Sequence, residues 1–269
     1  MFAARPLEPH VFSTLPGCHL VRPLFLIRLH KTAGTSFMTG LASAFAPDKI
    51  CPWAFHHEFH DRPRAALAGY QFFWPHMGLD QARTCRPDAR IVTILREPRA
   101  RIVSSYRYWR SQERVAPDYA GHHDLCRKVR NMSLADYLAS DDPAILRAID
   151  NAQMRFMAGG GFGADAATRT QLYGPPGRPE DLVTIALRRM ATDFAVVGVA
   201  ERLQASLARA AEVLGLSIRP VDHRVNVNLD ETDSGQEITA RMESDLERLT
   251  RFDSLVYDQA VATLQASGG

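Results

Sequence analysis

The chain has 269 residues, 46% of them hydrophobic, and a formal net charge of +2. That length and apolar content suffice to bury a full core without disulfides or metal ions, and the near-neutral balance gives no bulk electrostatic case for nucleic-acid binding. The cysteines, Cys18, Cys51, Cys85 and Cys126, form no Cys-x-x-Cys pair, which argues against a zinc or redox motif and fits free thiols in a reducing cytosol.

Residues 1–22 read as an irregular arm and residues 23–269 as a single domain, since no repeat, low-complexity tract or Pro-, Gly- or Ser-rich linker divides the chain. The apolar run from Leu20 to Leu29 is broken by Arg22, Pro23 and Arg28, so it fits neither a signal peptide nor a membrane span. A cytoplasmic protein with no transmembrane segment is expected. Leu24–Leu29 is predicted to be a strand, His30-Lys-Thr-Ala-Gly-Thr-Ser36 a turn and Ser36–Phe45 a helix. A strand that feeds a helix N-terminus aims unpaired backbone N–H groups and the positive end of the macrodipole at one point, a seat for phosphate or sulfate. Here Gly34 lets the backbone come close, Ala33 keeps the turn small, Thr32, Thr35 and Ser36 add hydroxyl donors, and Lys31 adds a mobile charge. Lys31 is one of three lysines in a chain with 29 arginines, so its place in this loop is unlike compositional drift. The alternative is an ordinary capped helix start after a buried strand. The Walker order does not fit, because no Gly stands on the N-terminal side of Lys31 within the loop.

Further strands are predicted at Gln71–Phe73, Arg90–Leu95 and Phe194–Val199. Pro98 suits the first turn of a helix, which leaves Arg96 at the carboxyl end of the third strand. Ligands of an open parallel sheet bind outside the carboxyl ends of its strands, which puts Arg96 on the rim of the Lys31 loop. Ser104 lies about two turns into the following helix and can face the same rim. Two anion-holding elements on one sheet edge imply a ligand with two separated anionic groups. Helices are predicted at Pro98–Trp109, Leu134–Ala139, Asp142–Met157, Glu180–Met190, Arg202–Leu214 and Ile238–Leu264. The glycine clusters Gly159–Gly163 and Tyr173–Gly177 read as surface loops. The alternation of strands and helices gives an α/β fold with a parallel sheet covered by helices on both faces.

His30 to Ser36, and Leu95-Arg-Glu-Pro-Arg-Ala-Arg-Ile-Val-Ser-Ser-Tyr106, resemble two motifs of the carbohydrate sulfotransferase family, which contains heparan sulfate 2-O-sulfotransferase and the chondroitin and dermatan sulfotransferases. Weaker likenesses follow in order at Asn151-Ala-Gln-Met-Arg155, Val197-Gly-Val-Ala-Glu-Arg-Leu203 and Phe252-Asp-Ser-Leu-Val-Tyr257. The resemblance implies a P-loop-like sulfotransferase fold and 3′-phosphoadenosine 5′-phosphosulfate (PAPS) as donor, with 3′-phosphoadenosine 5′-phosphate (PAP) as product and no metal required. It places Lys31, Thr32, Ala33, Gly34, Thr35 and Ser36 on the 5′-phosphosulfate and Arg96 and Ser104 on the 3′-phosphate. Arg224, with Asn226, is expected to close over the nucleotide from a later loop. Animal members are Golgi enzymes with an N-terminal membrane helix; the lack of one here and the heavy use of Ala and Arg point to a bacterial cytoplasmic member. The implied acceptor is a hydroxyl, of a glycan or a glycolipid, and not a nucleic acid.

Sulfuryl transfer is an in-line displacement in which positioning and charge stabilisation do most of the work. Lys31 is expected to neutralise charge on the leaving phosphate, and a base must take the acceptor proton. His76, just after a predicted strand, is where the resemblance places that base, although Pro75 stands where the family has Gly. The competing source is His56-His57-Glu58-Phe59-His60, which does not match the His-Glu-x-x-His zinc pattern and reads as part of an acceptor-binding loop. His30 is expected to pack rather than catalyse. Arg107, Arg110, Arg114, Arg127 and Arg130 either attract an anionic acceptor or form solvated helix faces. Two other classes stay open: a nucleotide-dependent phosphotransferase, and a nucleotide-binding relative that has lost transfer.

Overall fold

Four short apolar runs form one parallel sheet. The computed structural model of the chain describes residues 22–54, 57–60, 62–111, 120–159, 178–221 and 238–266. Leu24–Leu26 (β1), Phe72–Phe73 (β2), Arg90–Leu95 (β3) and Phe194–Val199 (β4) lie in the order β2-β1-β3-β4, every neighbouring pair parallel. Parallel strands require crossovers that place helices on the sheet faces, and runs that are apolar throughout suit a sheet buried on both sides. The predicted first strand extends to Leu29, whereas the regular ladder ends at Leu26. Beyond it, Ile27 N–H donates to the Val92 carbonyl (2.9 Å) and Arg28 N–H to the Pro75 carbonyl (3.3 Å), so both neighbours pin the chain until its turn begins.

In chain order the helices are α1 (Gly34–Ala42), α2 (His57–His60), α3 (Arg64–Leu67), α4 (Leu79–Cys85), α5 (Pro98–Ser111), α6 (Ala120–Val129), α7 (Leu134–Leu138), α8 (Pro143–Ile149), α9 (Ala152–Met157), α10 (Pro179–Thr192), α11 (Leu203–Leu214) and α12 (Ala240–Ala266). On one face of the sheet, Phe37 and Leu41 of α1 and Leu207 of α11 pack with Leu24, Leu26 and Val92. On the other, Phe156, Leu182 and Val256 of α9, α10 and α12 pack with Phe25, Phe73 and Ile91. A third cluster joins α5 to α8 with the start of α12 through Tyr106, Trp109, Tyr137 and Leu249. Helices therefore cover both faces of the parallel sheet.

The helix predicted over Asp142–Met157 is instead two. Asp142 caps α8 by accepting Ala144 N–H (2.8 Å), and the break falls at Asn151, whose φ of 46° is left-handed. Its cause lies about a hundred residues away. Asn151 N–H donates to the Leu249 carbonyl (2.7 Å), and its Oδ1 accepts from Phe252 N–H (2.7 Å) and Asp253 N–H (3.2 Å), so the residue is bonded into the backbone of α12.

The strand order sets the site. After β1 the chain crosses to β2 on one side, and β3 then lies on the other side of β1, so the loops leaving β1 and β3 diverge and open a crevice at their carboxyl ends. Close packing of β4 on α11 supports this edge. A Cβ at Gly198 would lie 2.9 Å from Ser206 Cβ, while Ser206 Oγ accepts Val199 N–H (2.8 Å) and donates to the Val199 carbonyl (3.1 Å). Gly198→Ala is therefore expected to destabilise the fold by about 1–3 kcal/mol through overpacking, seen as a lower urea midpoint at unchanged slope.

Candidate active site

From β1 the chain enters the turn Lys31-Thr32-Ala33, and α1 begins at Gly34. Lys31 (φ 65°) and Ala33 (φ 60°) both lie in the left-handed region, which costs a non-glycine residue of the order of 1 kcal/mol and concentrates at functional turns. A left-handed residue followed by a right-handed one turns successive N–H groups toward a common point and makes an anion-binding concavity. Ala33, at the N-cap, has no side-chain acceptor for the first N–H groups of α1. A Cβ at Gly34 would meet the stem of Arg28 at 3.6 Å, an ordinary contact, so internal packing does not demand glycine; its effect is to leave the first turn of α1 bare. The expectation of three hydroxyl donors narrows. Thr32 is fully buried with its hydroxyl donating to the Leu29 carbonyl (3.1 Å), and Ser36 is fully buried, so Thr35 is the half-buried hydroxyl of the loop and the other two bring chiefly backbone N–H groups.

Lys31 and Arg96 meet. Arg96 follows the last residue of β3, and its Nη1 lies 3.4 Å from the Lys31 carbonyl oxygen. Lys31 Nζ stands 4.5 Å from the centroid of the Tyr108 ring. Burial first, and the Arg96 charge second, push the Lys31 ammonium down to about 8. Glu97 caps α5, its carboxylate accepting the N–H groups of Arg99 (3.0 Å) and Ala100 (2.6 Å). Ser104 is half-buried on α5, one turn before Tyr108.

His76 follows β2. Its N–H donates to the Ala54 carbonyl (2.7 Å), and its Nδ1 lies 3.1 Å from the Arg28 carbonyl oxygen. A carbonyl only accepts, so this bond requires the proton on Nδ1 and leaves Nε2 as the basic nitrogen of the neutral ring. Pro75 costs nothing here, because the backbone group used is its carbonyl, which accepts from Arg28 N–H. The His30 ring lies 5.1 Å from that of His76, stacks on Trp109 (5.4 Å, 6°) and meets Tyr108 edge-on (5.7 Å). His30 thus packs, as expected, and the set His76, His30, Trp109, Tyr108 and Lys31 forms one continuous wall.

Glu58 Oε2 accepts Ala54 N–H (2.8 Å), on the residue whose carbonyl holds His76 N–H, so this segment braces the His76 backbone. His56 and the side chains of His57 and His60 lie outside the described parts of the structure, as do Arg224, Asn226, Arg114 and most of the two glycine clusters. Arg110 donates to the Tyr106 hydroxyl (2.9 Å) and Arg127 pairs with Asp124 (2.6 Å).

Arg28 joins the site without a local sequence signal. Arg28, 7% exposed, runs its stem beneath Gly34 and places its guanidinium 4.6 Å from the Trp74 ring centroid; burial pushes its pKa down to about 10. The three weaker motif likenesses converge behind Arg96. Gln153 bonds its backbone, Glu201 Oε1 lies 3.9 Å from its Nε and accepts Glu97 N–H (3.1 Å), and Tyr257 donates to Glu201 Oε2 (3.0 Å). Fully buried Asp253 accepts Met154 N–H (2.7 Å); burial pushes its carboxyl up to about 6, although Arg101 Nη2 is 3.9 Å away. Among the described residues, no group of three or more His, Cys, Asp or Glu side chains is placed to hold a metal ion, and no helix is long and apolar enough to cross a membrane.

No protein-family model and no curated protein matches the chain. Among solved structures it is similar to a sulfotransferase from Alicyclobacillus acidocaldarius, with 16% identity and a TM-score of 0.47 over 91% of this chain and 96% of that one. An overlap this loose assigns neither chemistry nor substrate.

Proposed function

We propose that the protein is a sulfotransferase that moves a sulfuryl group from PAPS to a hydroxyl of an acceptor, a glycan or glycolipid. The observation that carries this reading is the meeting of the Lys31 turn and Arg96 at the switch point of the sheet, with Arg96 Nη1 3.4 Å from the Lys31 carbonyl. Backbone N–H groups, one ammonium and one guanidinium suit a nucleotide with anionic groups at both its 5′ and 3′ ends, and PAPS when bound supplies the sulfuryl group and a phosphate leaving group. The loop has the wrong order of Gly and Lys for a Walker motif, which favours sulfuryl over phosphoryl transfer from a nucleoside triphosphate.

Each residue then has a task. The N–H groups at the start of α1, with Thr35, hold the 5′ end, and Arg96 with Ser104 holds the 3′-phosphate. Lys31 balances charge that grows on the bridging oxygen during an in-line displacement. His76 Nε2 takes the proton of the acceptor hydroxyl, its ring fixed by the Nδ1 bond to Arg28.

Calorimetry tests the cofactor. PAP is expected to bind at least tenfold more tightly than adenosine 5′-phosphate, because charge-assisted contacts to the extra phosphate are worth about 1.5–3 kcal/mol each. Equal affinities would remove the 3′-phosphate site. Thermal stabilisation by ATP with Mg²⁺ in place of PAP would instead mark a phosphotransferase, and binding of PAP without turnover on any hydroxyl acceptor an inactive relative.

A further inference from the structure

The β3 ladder ends at Leu95, paired with Val199, so the backbone of Arg96 has left the sheet and must find other partners. Gln153 meets both of its groups: Oε1 accepts Arg96 N–H (2.9 Å) and Nε2 donates to the Arg96 carbonyl (2.8 Å). A carboxamide carries one acceptor and one donor on the same planar unit, so it pairs with a single residue as an adjacent strand would. Gln153 is fully buried, in the first turn of α9. That turn is itself fixed. Asn151 is bonded to the α12 backbone at Leu249, Phe252 and Asp253, and Asp253 Oδ1 returns a bond to Met154 N–H.

We infer that Gln153 is a positioning residue for 3′-phosphate recognition: by clamping both backbone groups of Arg96 from the fixed end of α9, it aims the guanidinium across the crevice at the Lys31 loop. The inference rests on the sulfotransferase reading above, since it takes Arg96 to be the 3′-phosphate ligand. Gln153 acts on the backbone of Arg96, whereas the N–H groups at the start of α1 belong to a separate element, so loss of the clamp is expected to weaken the 3′ side more than the 5′ side. A buried pair of backbone groups left without the carboxamide reorganises, and Arg96 moves with them.

Two variants and one measurement on the unaltered protein test this. Gln153→Met preserves volume and removes both bonds; Gln153→Glu keeps an acceptor for Arg96 N–H but sets a second oxygen against the Arg96 carbonyl. In both, PAP affinity is expected to fall tenfold or more while adenosine 5′-phosphate affinity stays within about twofold, and KM for PAPS is expected to rise more than kcat falls. A variant weakened for both nucleotides alike, or one that keeps its preference for PAP, would overturn the inference. Hydrogen exchange in the wild-type protein gives an answer even where a variant does not fold: the Arg96 amide is expected to exchange as slowly as the β3 core, and rapid exchange would show the clamp is not made. Failure of the sulfotransferase reading looks different, because the wild-type protein itself would then show no preference for PAP over adenosine 5′-phosphate.

Discussion

Replacing His76 by alanine is expected to lower turnover roughly 10² to 10⁴-fold, the usual scale of general-base catalysis, while PAP affinity changes little. On the proposed reading the nucleotide is held by the Lys31 loop and Arg96, whereas the ring and backbone of His76 are anchored on the carbonyls of Arg28 and Ala54. Those anchors set the tautomer. With Nδ1–H donating to Arg28, Nε2 carries the lone pair, and protonation of the ring removes it, so wild-type activity falls on the acidic side of its profile. The alanine variant has no such group and loses the acidic limb of its pH–rate profile. Glu58→Ala is the control, because Glu58 accepts Ala54 N–H and so braces the backbone that holds His76. That variant is expected to lose activity modestly and to keep its acidic limb. Rates measured across pH at saturating PAPS for the three proteins decide the matter: a His76→Ala enzyme with near-normal turnover and an intact acidic limb would move the base to residues 56–60.

What the sequence makes legible is local. Arg90–Leu95 and Phe194–Val199 form strands over their predicted bounds, because each is a continuous apolar or β-branched run between breakers, and Pro98 starts α5 as expected. The loop from His30 to Ser36 and the position of Arg96 follow from the same logic of a strand that ends in a turn at a helix start. The short helices α2, α3 and α4 escape it. α4 buries only Leu79 and Ala82 of its seven residues, too few for a helical period to show, and its start is marked by Gln81 accepting Gly78 N–H (2.9 Å) rather than by a hydroxyl cap. The break between α8 and α9 escapes it for another reason, since Asn151 is held left-handed by bonds to α12 that no window around position 151 contains. The site divides the same way. Lys31, Arg96 and His76 can be placed at strand ends one at a time, whereas the carboxamide of Gln153, the ring of Tyr108 against Lys31 and the stem of Arg28 beneath Gly34 exist only once distant segments pack.

Lys31→Ala is expected to lower kcat roughly 10²-fold or more, the effect of removing one preorganised charge stabiliser, while PAP binding weakens far less. The difference arises because the charge matters most as negative charge develops on the leaving phosphate, and the ground state retains Arg96 and the N–H groups of α1. The surroundings of Lys31 add a pH signature. Its ammonium is pushed down to about 8 by burial and by Arg96, so in the free enzyme the active, charged form is full well below that pH and is lost as pH rises through it. The alkaline limb of kcat/KM, which reports the free enzyme, is therefore expected near pH 8 rather than at the ordinary lysine value. An anion in the crevice favours the ammonium, so PAP binding above that pH takes up a proton, measurable by calorimetry in buffers of different ionisation enthalpy. Lys31→Arg separates charge from titration, because a guanidinium stays protonated throughout but is bulkier and planar. It is expected to recover part of the lost rate and to show no alkaline limb near pH 8. Full turnover in Lys31→Ala would reduce the turn to a helix start, and an alkaline limb that persisted near pH 8 in Lys31→Arg would assign that titration to another group.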